Sequence, residues 1–323
     1  MEEPVKPPAL RPGSTITILA PASPVDEARL KQGCDELERL GYRPRYVAQT
    51  LARCGYFAGS AEQRVTSLIA ALTAPEPNAI FCARGGYGSN YLLDGADYDL
   101  PPHSERVSVY DFLLPRILLG YSDVTSMHIF YWQTSGWVTF YGPMVAAGFD
   151  VGAGAPGGYD KDSFLRALTE TNTGWSLNLQ GETLRSGVGE GVLLGGCLTL
   201  LETSLATFWE LDTTGAILLL EDRGMKPYQV DRALMHLKHA GKLKDLRGVI
   251  LGEFPESDPP PEGGPAVRDI CKRILGELGV PVIWGAPLGH TRRPMLTLPL
   301  GVRARLRADG SGLLEILEPA VSP

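Results

Sequence analysis

Apolar positions along the chain alternate between two spacings, runs that suit buried strands and stripes that suit helices. Thr15 to Ala20 is a β-branched apolar run that predicts a strand, and Pro21-Ala22-Ser23-Pro24 turns the chain into a segment with Leu30, Cys34, Leu37 and Leu40 on one helical face, stopped at Gly41. Ser60 followed by Gln63 makes a capping box ahead of Val65, Leu68, Ile69 and Leu72. Ala79 to Ala83 reads as a buried strand entering the turn Arg84-Gly85-Gly86-Tyr87-Gly88. Arg116 to Tyr121 predicts a further strand, Asp123 to Trp132 a helix, and Val138 to Tyr141 another strand. This alternation predicts an α/β fold whose N-terminal half is an open parallel sheet flanked by helices, with ligands bound at the carboxyl ends of its strands.

The pattern changes after Met144. Gly148 to Gly158 is rich in small residues, a short helix is expected near Ser163 to Leu168, and a Thr- and Asn-containing stretch follows. Short strands are expected at Gly191 to Leu194, Ala216 to Leu220 and Gly248 to Leu251, with an amphipathic helix carrying Val230, Ala233, Leu234 and Leu237 and ending at Gly241. The expected division is an N-terminal α/β domain over 13–165, a linker over 166–184 and a C-terminal β-rich α/β domain over 185–323. Residues 1–12, charged and Pro-rich, are expected to be poorly ordered, and Pro255 to Pro265 to form a surface loop.

Composition narrows the function classes. The 323 residues suit two cores, and no apolar run approaches the roughly 20 residues of a membrane span, so a soluble cytoplasmic protein without a membrane partner is expected. A net charge of −7 argues against a nucleic-acid partner. Cys34, Cys54, Cys82, Cys197 and Cys271 include no Cys-x-x-Cys pair, so reduced thiols are expected rather than a disulfide frame, and no metal.

Three distant segments end apolar runs on residues suited to a serine hydrolase: Gly120-Tyr121-Ser122-Asp123, Leu220-Glu221-Asp222 and Leu288-Gly289-His290. A hydroxyl needs an adjacent imidazole to take its proton, and the imidazole needs an acceptor on its other nitrogen. A strand turning sharply at Ser122 into a helix resembles a nucleophile elbow, although the spacing is Gly-Tyr-Ser-Asp-Val rather than Gly-x-Ser-x-Gly, and Ser-Asp at a helix start is also a common cap. Local pattern leaves Glu221 and Asp222 equally eligible as the orienting carboxylate. His290 lies among Gly and Pro, whereas His236 and His239 belong to the surface of the amphipathic helix and His128 is expected to be packed. The Gly85 to Gly88 turn suits close backbone approach to an anion and equally suits an ordinary tight turn. The Arg84 guanidinium could anchor a substrate carboxylate through two hydrogen bonds or serve the structure; both stay open.

Taken together, Ala20-Pro21-Ala22-Ser23, Ala83-Arg84-Gly85-Gly86-Tyr87-Gly88, Gly120-Tyr121-Ser122-Asp123-Val124-Thr125, Gly142-Pro143-Met144, Leu220-Glu221-Asp222, Gly289-His290 and Leu298-Pro299-Leu300-Gly301 resemble, in order and spacing, the muramoyl-tetrapeptide LD-carboxypeptidases and the related microcin-immunity hydrolases. The resemblance implies Ser122 as nucleophile, Glu221 rather than Asp222 as orienting carboxylate, His290 as base, and backbone N–H groups of Gly86 and Asp123 as oxyanion hole. It implies a flavodoxin-like or amidotransferase-like N-terminal sheet, a site between two domains, a homodimer, a murein tetrapeptide as substrate and no cofactor. The alternatives are a microcin-immunity-type hydrolase of aminoacyl-nucleotide conjugates, which needs an aromatic platform for the base, and a peptide-binding module without turnover. Two departures stand out. Gly195-Gly196-Cys197 replaces the family's Gly-Gly-Asn, with Cys197 read as a small buried hydrophobe, and Asp99 to Pro115 is unusually long, its Tyr110-Asp111-Phe112 suited to a lid or dimer contact.

Overall fold

In the computed structural model, which describes residues 3–75, 79–94, 115–172, 174–259, 261 and 263–323, the first apolar run forms β1 (Thr15–Leu19). Asp26 then accepts a hydrogen bond from the Arg29 N–H at 2.9 Å and caps α1 (Glu27–Arg39), which buries Leu30, Gly33, Cys34 and Leu37. After β2 (Arg43–Arg45), the expected capping box starts α2 (Ala61–Thr73): Ser60 Oγ accepts from Gln63 N–H at 3.2 Å and Gln63 Oε1 accepts from Ser60 N–H at 2.9 Å. Next come β3 (Ala79–Cys82), the single turn α3 (Tyr91–Asp94) and β4 (Leu118–Gly120). A 3₁₀ turn at Ser122–Val124 leads into α4 (Thr125–Ser135), which Gly136 ends in the left-handed region, and β5 (Thr139–Tyr141) and α5 (Lys161–Thr169) follow. Strands β1 to β5 pair in parallel in the order β5-β4-β3-β1-β2. Every residue of β3, β4 and β5 is buried, as continuous apolar runs in parallel sheets require.

The second sheet collects β6 (Trp175–Asn178), β7 (Glu182–Arg185), β8 (Gly187–Cys197), β9 (Ala216–Glu221), β10 (Gly248–Leu251) and β11 (Val282–Trp284). Helices α6 (Leu198–Ser204), α7 (Pro227–His239) and α8 (Val267–Leu275) connect its parallel centre, β8-β9-β10-β11. The chain then returns to the first sheet with β12 (Leu298–Leu300), antiparallel to β5 at the edge, where Pro299 is tolerated. Finally β13 (Arg303–Ala308) and β14 (Leu313–Ile316) complete an eight-stranded sheet against a six-stranded one. The expected α/β class and β-rich second half are present.

Three expectations need correction. The segment 166–184 is not a plain linker, because it carries the end of α5, all of β6 and most of β7. Sheet membership also crosses the expected division, since β12 belongs to the first sheet. The N-terminal arm is tied down rather than loose: Val5 bridges Trp137, Ala9 N–H donates to Ser322 O at 2.8 Å, and Leu10 is buried with its N–H on Leu168 O. Pairing with other backbone outweighs the local charge and proline content. The proposed lid or dimer contact at Tyr110-Asp111-Phe112 lies outside the described residues.

Leu10→Ala should therefore destabilise the protein by about 2 kcal/mol or more, as for other buried leucines. Urea unfolding measures this, and a loose arm would leave the midpoint unchanged.

Candidate active site

The site forms where the carboxyl ends of β1, β3, β4 and β5 meet the end of β9. Ser122 stands one residue past the end of β4 and holds φ at +65°, a region that non-glycine residues rarely occupy and that concentrates at functional turns. Its side chain makes no capping bond, so the cap reading of Ser-Asp does not describe this turn. Gly85 lies against it: a Cβ there would be 2.9 Å from Ser122 Cβ and 3.4 Å from Asp123 N. The backbone N–H groups of Gly86 and Asp123 have no hydrogen-bond acceptor among the described residues.

Asp123 itself points elsewhere. Its Oδ2 accepts from Ser89 N–H at 2.7 Å while Ser89 Oγ donates to its carbonyl at 2.5 Å, which ties the turn after β3 to the turn after β4. Burial pushes its carboxyl up, against the hydrogen bonds from Ser89.

Glu221 closes β9 and is fully buried. Its Oε2 accepts from both the backbone N–H and the Nδ1 of His290, each at 2.8 Å, and its Oε1 accepts from Tyr141 Oη at 2.5 Å. Burial opposes the charge on Glu221, but His290 beside it and these hydrogen bonds outweigh burial and hold the carboxyl below its usual range. Burial likewise disfavours a charged His290, and the charge and hydrogen bond of Glu221 reverse this, raising the imidazole above its ordinary 6.5. With Nδ1 on the carboxylate, Nε2 is left to act as a base. Asp222 turns the other way, accepting from Thr199 N–H at 2.9 Å, Thr199 Oγ1 at 2.7 Å and Cys197 Sγ at 3.4 Å. Geometry thus separates the two carboxylates that sequence left equal.

Ser122 and His290 line one cavity of about 260 Å³, although no hydrogen bond joins Ser122 Oγ to the imidazole. Such bonds commonly tighten only when substrate binds. Arg84, Arg29 and Arg223 line the same cavity. Arg29 pairs with Asp150 at 2.6 Å and Arg223 is held by both oxygens of Glu256, whereas Arg84 donates only to Pro24 O at 3.2 Å and has no carboxylate partner among the described residues. Clefts of about 690 and 720 Å³ lie elsewhere, but neither brings a hydroxyl together with an imidazole.

Cys197 is buried, with its thiol pushed up by burial and then by Asp222 and Glu221, which suits an inert residue. His128 is packed and neutral, its pKa lowered to about 4 by burial, while His236 and His239 are exposed as expected. Sequence reasoning missed Tyr141 and Tyr121. Tyr121 meets the His290 ring edge-on at 5.2 Å between centroids. The available signal was position: Tyr141 ends a strand that pairs with the one leading to Ser122, Gly120 opposite Tyr141. Among the described residues no helix is long and apolar enough to cross a membrane.

Comparison with known proteins places these features in a family. Residues 16–142 match the profile described as the LD-carboxypeptidase N-terminal domain, and residues 190–306 that of the C-terminal domain. A probable murein peptide carboxypeptidase of Bacillus subtilis is 33% identical over 96% of this chain and 94% of its own. The crystal structure of a muramoyltetrapeptide carboxypeptidase from Oxalobacter formigenes superposes with TM-score 0.76 at 28% identity, covering 95% of this chain and 100% of that one. The microcin C7 self-immunity protein superposes with TM-score 0.85, covering 99% and 100%, but at 24% identity this speaks for the fold alone.

A Cβ at Gly289 would lie 2.3 Å from Glu221 Cδ, on a backbone with φ of +59°. Gly289→Ala should therefore displace the carboxylate and slow the labelling of Ser122 by a fluorophosphonate at least about tenfold, equivalent to about 1.4 kcal/mol. An unchanged labelling rate would show that this close approach does not govern the serine.

Proposed function

Because the chain belongs to the LD-carboxypeptidase family, we propose that it is a serine peptidase that removes the terminal D-alanine of murein tetrapeptides. The observation that carries this reading is the line from Glu221 through His290 into the cavity that Ser122 shares. In this mechanism His290 Nε2 takes the proton of Ser122 Oγ as the oxygen attacks the carbonyl of the L-configured centre before the terminal D-alanine. The negative charge developing on that carbonyl oxygen falls to the N–H groups of Gly86 and Asp123. Collapse breaks the C–N bond, His290 protonates the departing amine, and D-alanine leaves. Water, deprotonated by the same imidazole, then opens the Ser122 ester and releases the tripeptide. Glu221 stays ionised and stabilises the imidazolium that forms in each half.

The Arg84 guanidinium, free of carboxylates, suits the D-alanine carboxylate and favours a peptide terminus over the aminoacyl-nucleotide alternative. That alternative finds support only in fold likeness.

Incubation with a tetrapeptide ending in D-alanine, followed by mass spectrometry, should show loss of one alanine with the wild type and a fall of about a millionfold in turnover for Ser122→Ala. An intact tetrapeptide with wild type would overturn the assignment. Arg84→Gln should lower kcat/KM about ten- to a hundredfold through KM, the scale of a lost charged hydrogen bond. Amidating the peptide's terminal carboxylate should cost the wild type a similar factor and the variant little; equal costs in both would remove Arg84 from that role.

The wild-type profile has a direction too. His290 must be neutral to accept a proton, so kcat/KM should fall as pH drops through its raised pKa, with a half-point above 6.5. A half-point below that value would contradict the ion pair as the controlling group.

A further inference from the structure

Tyr141 is fully buried at the carboxyl end of β5, and its single hydroxyl is used twice. It donates its proton to Glu221 Oε1 at 2.5 Å and accepts the backbone N–H of Ser122 at 3.3 Å. A phenol has one proton to give and lone pairs to receive, so both bonds can exist at once. The ring is held in place: a Cβ at Gly196 would sit 3.0 Å from its Cε2, and Tyr121 and His128 pack at 6.4 and 5.8 Å between centroids.

We propose that Tyr141 is a positioning residue of the reaction, whose hydroxyl ties the backbone of the nucleophile to the carboxylate that orients the base. The inference rests on the reading of Ser122, His290 and Glu221 given above. Two consequences follow from the bonds. Engaging the Ser122 N–H holds this residue in its left-handed conformation and leaves Asp123 and Gly86, rather than the serine's own amide, to receive the oxyanion. Donation to Glu221 draws charge from the oxygen that does not face His290, so Tyr141 moderates how strongly the carboxylate favours the imidazolium.

The other charged or titratable groups facing this assembly are Asp222, Arg223 and Glu256 around His290, Cys197 and His128 around Tyr141, and Tyr121 against both rings, its phenol kept protonated by burial and by Glu221. Burial keeps the Cys197 thiol protonated and His128 neutral near pH 7. A Tyr141→Phe variant alters none of these side chains, and it removes one oxygen while keeping the ring.

The test is the rate at which a fluorophosphonate labels Ser122, followed against pH in wild type, Tyr141→Phe and Ser122→Ala, with melting curves to verify folding. This readout needs no peptide substrate. Tyr141→Phe should lower the plateau rate about ten- to a hundredfold, the scale of losing one hydrogen bond to a charged group, and should move the acidic half-point to higher pH, because Glu221 then holds the imidazolium more tightly. A merely structural tyrosine would leave the half-point where it is; an unmoved half-point, with or without a lower plateau, overturns the proposal. Labelling of Ser122→Ala would instead overturn the nucleophile assignment, so the two failures are distinct. Should the Phe variant fail to fold, 3-fluorotyrosine at position 141 keeps the hydroxyl and makes it a stronger donor. It should move the half-point to lower pH, and an unmoved half-point there overturns the proposal equally.

Discussion

A fully buried carboxylate governs the architecture of this site. Taking an ionised group out of water is costly unless its oxygens are satisfied, and Glu221 is satisfied from three directions by the backbone and ring of His290 and the phenol of Tyr141. The glycines around it follow from that burial. A Cβ at Gly252 would come within 2.6 Å of Glu221 Cβ, and at Gly289 within 2.3 Å of its Cδ, so the loops before the Pro255 segment and before His290 can close on the carboxylate only without side chains. The charge that is costly to bury is also what holds the imidazole in one orientation.

Each half of the site repeats one local arrangement. At or just past a strand end stands the residue that faces the cavity or its base, and the next residue is a carboxylate turned away to fasten the backbone that follows the neighbouring strand. After β4, Ser122 faces the cavity while Asp123 holds the Gly-rich turn through Ser89. At the end of β9, Glu221 holds His290 while Asp222 binds the backbone and hydroxyl of Thr199 at the start of α6. Cys197 belongs to this second fastening, since its Sγ meets Asp222 and its N–H donates to Thr125 Oγ1 at 3.0 Å, joining the end of β8 to the helix that follows Ser122.

Much of this was legible along the chain, for a physical reason. Parallel strands buried on both faces are written as apolar runs, so β3, β4, β9 and β10 stood out, and the residues just past their ends were natural candidates. Ser122 and Glu221 became candidates in that way, and His290 for its place in a Gly- and Pro-rich loop. The choice between Glu221 and Asp222 was not legible locally because both follow the same run, and only the fold decides which one meets His290. Tyr141 was missed because an aromatic at a strand end reads as core until its hydroxyl finds a partner 80 residues away. The N-terminal arm and β12 were misjudged because their order comes from pairing with Ser322, Trp137 and β5, none of which leaves a mark in the local pattern.

The geometry around Ser122 also accounts for the Arg84-Gly85-Gly86 turn having glycine where it does. An oxyanion site made of two backbone N–H groups from different turns requires those turns to approach within a few ångströms. At Gly85 a side chain would collide with Ser122, and at Gly86, where φ is +112°, a Cβ would lie 2.3 Å from Ser23 Oγ, the acceptor for the Tyr87 N–H. The glycines therefore set how near the two turns can come, while Asp123 and Ser89 fix the distance at which they stop. The N–H groups of Gly86 and Asp123, without acceptors among the described residues, lie on the two turns that this clamp holds together. Rigid donors need little reorganisation as charge develops, and that is the condition under which electrostatic stabilisation is most effective.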